Sequence, residues 1–333
     1  MNTTGRIFRV SLFGESHGPA VGATLDGVPP GLALVPEDFE ADLARRRSGA
    51  AGTTDRREPD RPEILSGLFQ GRTTGTPLCL VFRNTDTRSE DYAPLASVPR
   101  PGHADFTGSV RYRGFQDPRG SGHFSGRITA GLVAAGVVAK KLLPGVSFET
   151  RIPEAGGDPD VEAAARRAAE AGDSVGALVE VRVRGLPAGL GEPFFDPVEG
   201  RIAAALFSVP GVRGVEFGDG FAAARMRGSE HNDPLVSRDG RTSRNGAGGV
   251  NGGISNGNDL LVRIAVKPAS SIRVPQRTLD FSTGEPADLS VPGRHDACIA
   301  LRAAVVLEAA CAVCLADFAL LARTYDAARD DER

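Results

Sequence analysis

The chain has 333 residues, of which 41% are hydrophobic and 24% charged, with a formal net charge of −3. A compact protein of one large or two ordinary domains is expected, and a slightly acidic chain with 6% aromatic residues is a poor partner for nucleic acid. No basic segment followed by a long apolar run opens the sequence and no stretch reads as a membrane span, so a cytoplasmic location away from membranes is expected.

In chain order, "IFRVSLF" and "AVGATLDGV" read as strands, and "PEDFEADLARRR" reads as a helix opened by Pro36 and early acids. "PLCLVFRN" is a third strand, and "HFSGRITAGLVAAGVVAKKLL" is a buried helix rich in small residues. "VSFETRI" precedes a solvated helix, "DPDVEAAARRAAEAGD", and then come strand "ALVEVRVRGL", helix "PVEGRIAAALFSV" and a strand near "GVEFGDG". Strand "DLLVRIAVKP" and an apolar helix over about 295–323 finish the chain. Residues 100–127 and 225–258 are glycine-rich and longer than ordinary connections, which marks them as functional loops.

"GVPPGL" at 27–32 recurs as "GLPAGL" at 185–190, each between a strand and a helix. Common loop chemistry can produce such an echo, and so can internal duplication. The expectation is an α/β (α+β-like) fold over 1–333: one domain with a pseudo-repeat over about 1–145 and 146–333. It would form a β-α-β sandwich of central sheets with helices outside.

Four cysteines are too few and too clustered for a secreted disulfide framework, and Cys311 and Cys314 fall in a buried apolar helix, so inert core thiols are expected. No metal site is recognised. Lysine occurs only at Lys140, Lys141 and Lys267 among the 39 basic residues. Arginine's rigid fork of donors suits carboxylates and phosphates, so a small anionic substrate is plausible. All five histidines sit in loop-like contexts, "ESHGP", "PGHAD", "SGHFSG", "SEHND" and "GRHDA", with glycine, acid or arginine alongside. "GESHG" matches the G-x-S-x-G pattern of a hydrolase elbow, but the segment after it reads as a second strand where the elbow requires a helix. "VKPASSI" places Lys267, Ser270 and Ser271 at a strand end, a cradle for one phosphate.

Taken together, "FGESHG", "LDGVPPG", "RREPD", "RNTD", "RPGHAD", "GSEHND", "NGAGGVNGGISNG", "KPASSI" and "GRHD" resemble, in order and over nearly the whole chain, the chorismate synthase family. The resemblance implies a carbon–oxygen lyase that converts 5-enolpyruvylshikimate 3-phosphate to chorismate by anti-1,4-elimination, using reduced FMN without net redox change. It implies His17 as the acid for the leaving phosphate, His103 beside the flavin, and Asp296 with Ser125 as the proton relay. Arg46, Arg100, Arg127 and Arg294 match anion-binding positions for substrate. His123, Phe124, Ser125, Gly252, Lys267, Pro268, Ala269, Ser270, Ser271 and Arg294 match flavin contacts.

A homotetramer is implied, while NADPH as flavin reductant and dependence on an external flavin reductase both stay open. Two departures stand out. The segment after Arg47 is one residue shorter than in many relatives and lacks an arginine usual there, and His123 and Phe124 stand where arginine and serine are commoner. His231 and His295 are expected to be structural or to support residues that touch the ligands. Two other readings keep part of the pattern. A flavin oxidoreductase would consume nicotinamide in step with product, and a binding protein for a phosphorylated metabolite has no need of His17, His103 and Asp296 together.

Overall fold

A computed structural model describes residues 2–49, 53, 56, 58–87, 97–291 and 295–330, the last six by backbone only. The first half contributes strands β1 (Thr3–Thr4), β2 (Arg9–Gly14) and β3 (Ala20–Asp26), helix α1 (Glu40–Arg46), and β4 (Glu63–Ser66). A short hairpin, β5 (Leu68–Phe69) and β6 (Arg72–Thr73), leads to β7 (Leu78–Arg83), α2 (Asp105–Tyr112) and α3 (Thr129–Lys141). The second half runs β8 (Ser147–Ala155), α4 (Val161–Glu170), β9 (Ala177–Arg184), α5 (Val198–Phe207), β10 (Val212–Phe217) and the one-turn α6 (Gly228–His231). It ends with hairpin β11 (Val250–Asn251) and β12 (Ile254–Ser255), strand β13 (Leu260–Val266), hairpin β14 (Gln276–Leu279) and β15 (Pro286–Leu289), and α7 (Ala300–Asp330).

Two antiparallel sheets result, ordered β1-β2-β3-β7-β4 and β10-β13-β9-β8. Leaving out edge strand β1, both follow one scheme: first strand, second, fourth, third, and each ends in a long helix, α3 or α7. "GVPPGL" and "GLPAGL" occupy the same place in that scheme, after the second strand and before α1 or α5.

The α/β class is as expected, but the layer order is reversed: the two long helices lie inside. α3 packs on β2, β3 and β7, α7 packs on β8 and β9, and the two helices pack on each other. The reason is compositional. Every residue from Thr129 to Ala139 is buried, as is Val305–Phe318, so neither helix has a polar face to give to water. The sheets have one: along β9, Val179, Val181 and Val183 are buried while Glu180 and Arg182 alternate outward. Glycine permits the close approaches. A Cβ on Gly131 would lie 2.6 Å from the Gly22 carbonyl oxygen, and one on Gly136 would lie 2.4 Å from the Ala309 Cβ.

By length and composition, Ala300–Thr324 passes as a membrane span, contrary to the sequence expectation, yet 83% of its most apolar window is buried in the protein. Its few charged side chains hold the core together. The Asp317 carboxylate accepts hydrogen bonds from the backbone N–H groups of Arg6, Ile7 and Phe8 (2.8, 2.8 and 2.9 Å), which fastens the chain start to α7. Glu308 accepts from Arg45 of α1, Lys140 of α3 and Thr150 of β8, which outweighs its burial and holds its pKa down to about 2. Burial lifts the Cys314 thiol to about 12 and Cys311 well above its ordinary value, so both are inert core residues.

Candidate active site

The "GESHG" turn closes the β2–β3 hairpin, with Gly14 facing Val21 in register, so no helix follows the serine and the hydrolase elbow is excluded. Gly14 takes φ +97°, and a Cβ there would lie 2.2 Å from the Ala20 carbonyl oxygen. The turn docks on a loop in which Gly120, Ser121 and Gly122 are consecutively left-handed. Ser16 N–H donates to the Gly122 carbonyl (3.0 Å), and the His17 ring lies against Gly120, where a Cβ would stand 2.4 Å from its Cδ2. Arg56 donates to the Ser16 hydroxyl (2.8 Å) and pairs with Glu58 (2.7 Å).

Beside this junction a cavity of about 590 Å³ is lined, among the described residues, by Arg46, Arg47, Arg56, Arg100, Arg127, Arg302 and Lys267 against three carboxylates, Glu58, Asp60 and Asp296. Excess positive charge in a walled cleft favours an anionic ligand. Asp60, whose backbone is left-handed (φ +46°), divides its two oxygens between buried cations: Oδ2 accepts from Arg46 (2.7 Å) and Oδ1 from Arg127. Burial would raise the Asp60 pKa, but the two guanidinium groups override it and hold it low. Arg127 Nε also donates to Asn84 (2.9 Å). Burial brings Arg46 down to about 10, and its Nε has no hydrogen-bond partner. One carboxylate between two cations leaves a net positive charge at the cavity wall, which favours an anion.

At the other end, Arg100 is held by the Asp105 carboxylate through Nε (2.7 Å) and Nη2 (2.6 Å), and also donates to Ser121 and Ser271 (2.9 Å each). His103 Nδ1 lies 2.6 Å from Asp105 Oδ1. Burial lowers the His103 pKa, with Arg100 and Lys267 adding to the effect and Asp105 opposing it. Lys267, itself lowered by burial, donates to the Gly102 carbonyl and lies 3.0 Å from Ser270 Oγ. Arg302 donates to Asp296 Oδ2 (3.0 Å) and, through Nε, to the Arg46 carbonyl (2.9 Å) at the end of α1.

Of the residues picked from sequence, Arg46, Arg100, His103, Phe124, Ser125, Arg127, Lys267, Pro268, Ala269, Ser270, Ser271 and Asp296 share this cavity, and His17 abuts its Gly120 wall. Ser125 caps a one-turn 3-10 helix by accepting from Arg127 N–H (3.2 Å). Three picks stand apart. Arg294 lies outside the described residues. His123 lines a neighbouring cavity of about 840 Å³, with its Nδ1 2.8 Å from the Gly14 carbonyl, and so braces the hairpin turn. Gly252 stands at the exposed tip of the β11–β12 hairpin, whose next residue, Gly253, packs against residues 192–197, and it does not line the cavity of its own chain. Arg100, picked as a substrate ligand, has a side chain only 3% exposed and its charge already met by Asp105, so it serves first as a clamp. His295 lines the cavity, whereas His231 is tied to Asp219 (3.0 Å).

Asp60, Asp105 and Arg302 were not singled out from sequence. Asp60 and Asp105 sit inside the quoted "RREPD" and "RPGHAD" blocks, and an acid two residues from a histidine was the available signal. The donor set also fits a flat ring with a phosphate tail. Lys267, Ser270 and Ser271 gather at one end, Val209, Pro210 and Ile299 form an apolar wall, and a Cβ on Gly126 would have nothing within 4 Å.

A family model described as chorismate synthase matches residues 8–320. A chorismate synthase from Chitinophaga pinensis is 57% identical over 322 residues, covering 96% of this chain and 97% of that one. One from Syntrophobacter fumaroxidans is 52% identical over 341 residues, covering 95% and 96%. A crystal structure of chorismate synthase aligns with a TM-score of 0.71 at 28% identity, over 95% of this chain and 92% of that one.

Proposed function

Because the chain belongs to the chorismate synthase family, and so eliminates phosphate from 5-enolpyruvylshikimate 3-phosphate to give chorismate, we propose that this lyase reaction runs in the arginine-lined cavity beside the "GESHG" turn. The observation that carries the placement is the convergence of His103, Ser125 and Asp296 with seven cationic side chains on one cavity. Reduced FMN, when bound, supplies transient electron density to the allylic system without net redox change.

The chain's own residues do the rest. Arg46 and Arg127, one carboxylate short of neutrality, take the substrate's anionic groups, joined by Arg294. His17, seated on Gly120 at the cavity edge, gives a proton to the departing phosphate, a contribution of roughly 10²- to 10⁴-fold for a well-placed acid. Asp296, braced by Arg302, relays the C6 proton with Ser125. Lys267 to Ser271, with Phe124, would hold the flavin, and His103 would stand beside it. Apolar Val209 and Ile299 keep water from the reacting atoms.

Further parts of this reading are cytoplasmic residence and a homotetramer. Phe194 and Phe195, 88% and 95% exposed, stand on the segment that packs against the Gly252 hairpin and give a second copy an apolar surface. Gly252 then reaches a flavin only in a neighbouring subunit. Duplication of halves at about 1–145 and 146–333 within one domain is supported by their common strand order.

Anaerobic incubation with substrate and chemically reduced FMN tests the site. His17→Ala and His103→Ala should each lower turnover at least about a hundredfold, and near-wild-type rates would refute the placement. NADPH in place of chemical reductant decides whether an external flavin reductase is needed. A monomeric mass by light scattering would overturn the tetramer.

A further inference from the structure

Asp105 is the hub of the closed end of the cavity. Its two oxygens meet four donors: Oδ2 accepts from the Arg100 backbone N–H (3.0 Å) and Nε (2.7 Å), while Oδ1 faces Arg100 Nη2 (2.6 Å) and His103 Nδ1 (2.6 Å). Arg100 Nη2 also lies 2.9 Å from His103 Nδ1. A guanidinium can only donate, so an unprotonated Nδ1 would accept from Arg100 and leave its lone pair against the carboxylate. A protonated Nδ1 instead donates to Asp105, and Arg100 keeps its own two bonds to the same carboxylate. The shorter contact, and the ionised state of Asp105, favour the second arrangement.

We infer that Asp105 is a positioning residue that fixes His103 as its Nδ1–H tautomer, leaving Nε2 as the only ring atom able to exchange a proton in the cavity. It holds Arg100 in place at the same time. The inference rests on the reading of the cavity as the reaction site, which makes a fixed tautomer useful: a lone pair at one known atom can collect or return a proton in a set direction. The charged groups facing the His103 ring are Arg100, Asp105 and Lys267. Two of the three are cations, so without Asp105 no charged group among the described residues would favour the protonated ring. Arg100 and His103 oppose the burial of Asp105 and keep it ionised.

Asparagine is the informative replacement. One oxygen of the carboxylate meets two Arg100 donors and the other only one, so the amide oxygen turns to the first, the NH2 group meets His103, and Arg100 Nη2 is left with its bond to Ser121. Nδ1 must then accept, and the proton moves to Nε2. The test is nitrogen NMR of ¹⁵N-histidine-labelled full-length protein without ligands, with His103 assigned from the signal lost in His103→Gln.

The expected result is the Nδ1–H tautomer in the wild type, conversion to Nε2–H in Asp105→Asn, and return of the wild-type pattern in Asp105→Glu. The ring of Asp105→Asn should also titrate at lower pH than the wild type. A wild-type ring protonated at Nε2 overturns the inference without any variant having to fold. So does a folded Asp105→Asn with an unchanged tautomer and titration, which is what a merely structural aspartate would give. Turnover tests the underlying reading separately. With the tautomer switched, kcat should fall at least about tenfold, part of the roughly 10²–10⁴ that a positioned proton carrier contributes. A switched tautomer with unchanged kcat supports the inference about Asp105 and refutes the role given to His103.

Discussion

A single carboxylate, Asp60, decides whether two arginines can be buried at the site. The Arg46 and Arg127 side chains are 4% and 3% exposed, so neither can turn to water if its partner is lost. Removing one member of a buried charge cluster typically costs about 3–5 kcal/mol, because the others are left uncompensated. Asp60→Asn should therefore lower the unfolding free energy by that margin, read as a lower urea midpoint, and it should weaken substrate binding by freeing the guanidinium groups to reorient. The exposed pair between Arg83 and Glu63 is the control: both ends are solvated, and Glu63→Gln should leave the midpoint in place. Equal effects from the two substitutions would contradict burial as the deciding factor. The same asymmetry explains why an anion belongs here. The pair of arginines with one aspartate keeps a net positive charge at the cavity wall, which an anionic substrate offsets.

At the level of elements, the site depends on how closely α3 and α7 approach, since α3 begins at the turn bearing Ser125 and Arg127 while α7 carries Arg302. Gly136→Ala tests that approach with two opposed effects. Helix propensity favours alanine by about 0.8–1 kcal/mol. The new Cβ, however, would stand 2.4 Å from the Ala309 Cβ and 2.7 Å from its Cα, where no side chain can rotate away. Overpacking of this kind costs about 1–3 kcal/mol, so a net loss of thermal stability is expected by calorimetry. Ala309→Gly in the same chain should recover part of it, and a stabilised single variant would show that the helices can part cheaply. These two helices were legible in the sequence, as were β2, β3, β7, β9 and β13, because their apolar patterns are continuous or alternate. Their burial between the sheets was legible only in principle: helices without a polar face cannot lie outside. Helix α2 and the β14–β15 hairpin were missed, since their segments carry glycine and polar residues whose order comes from distant partners. Arg100 reaches Ser271 across 171 positions, and Arg46 reaches Asp60 across 14. The motif blocks located the cavity, but which cation answers which carboxylate is a property of the folded chain.

For the whole molecule, the buried carboxylates set its response to acid. Asp60 joins α1 to the turn before α3, Asp105 holds Arg100, which reaches Ser271 in the segment after β13, and Glu308 joins α1, α3 and β8. All three have folded pKa values below their ordinary ones, so the unfolded chain binds more protons as pH falls. Their stabilisation is complete above the ordinary carboxylate range and is lost below it; for Glu308 the loss runs from 4.5 toward about 2. His103, lowered chiefly by burial, acts in the same direction from a higher starting point: it stabilises the fold above 6.5 and loses that contribution as pH drops. Melting temperature should therefore slip gently just below pH 6.5 and fall steeply below about 4.5. Glu308→Gln should start lower at neutral pH and descend less steeply in acid, because its amide no longer titrates while Arg45 and Lys140, both partly exposed, can still reach water. Scans at two protein concentrations separate this from subunit dissociation, which is concentration-dependent. A melting temperature that stays flat from pH 6.5 to 4, or a Glu308→Gln variant as steep as the wild type, would show that these carboxylates do not govern the acid limit.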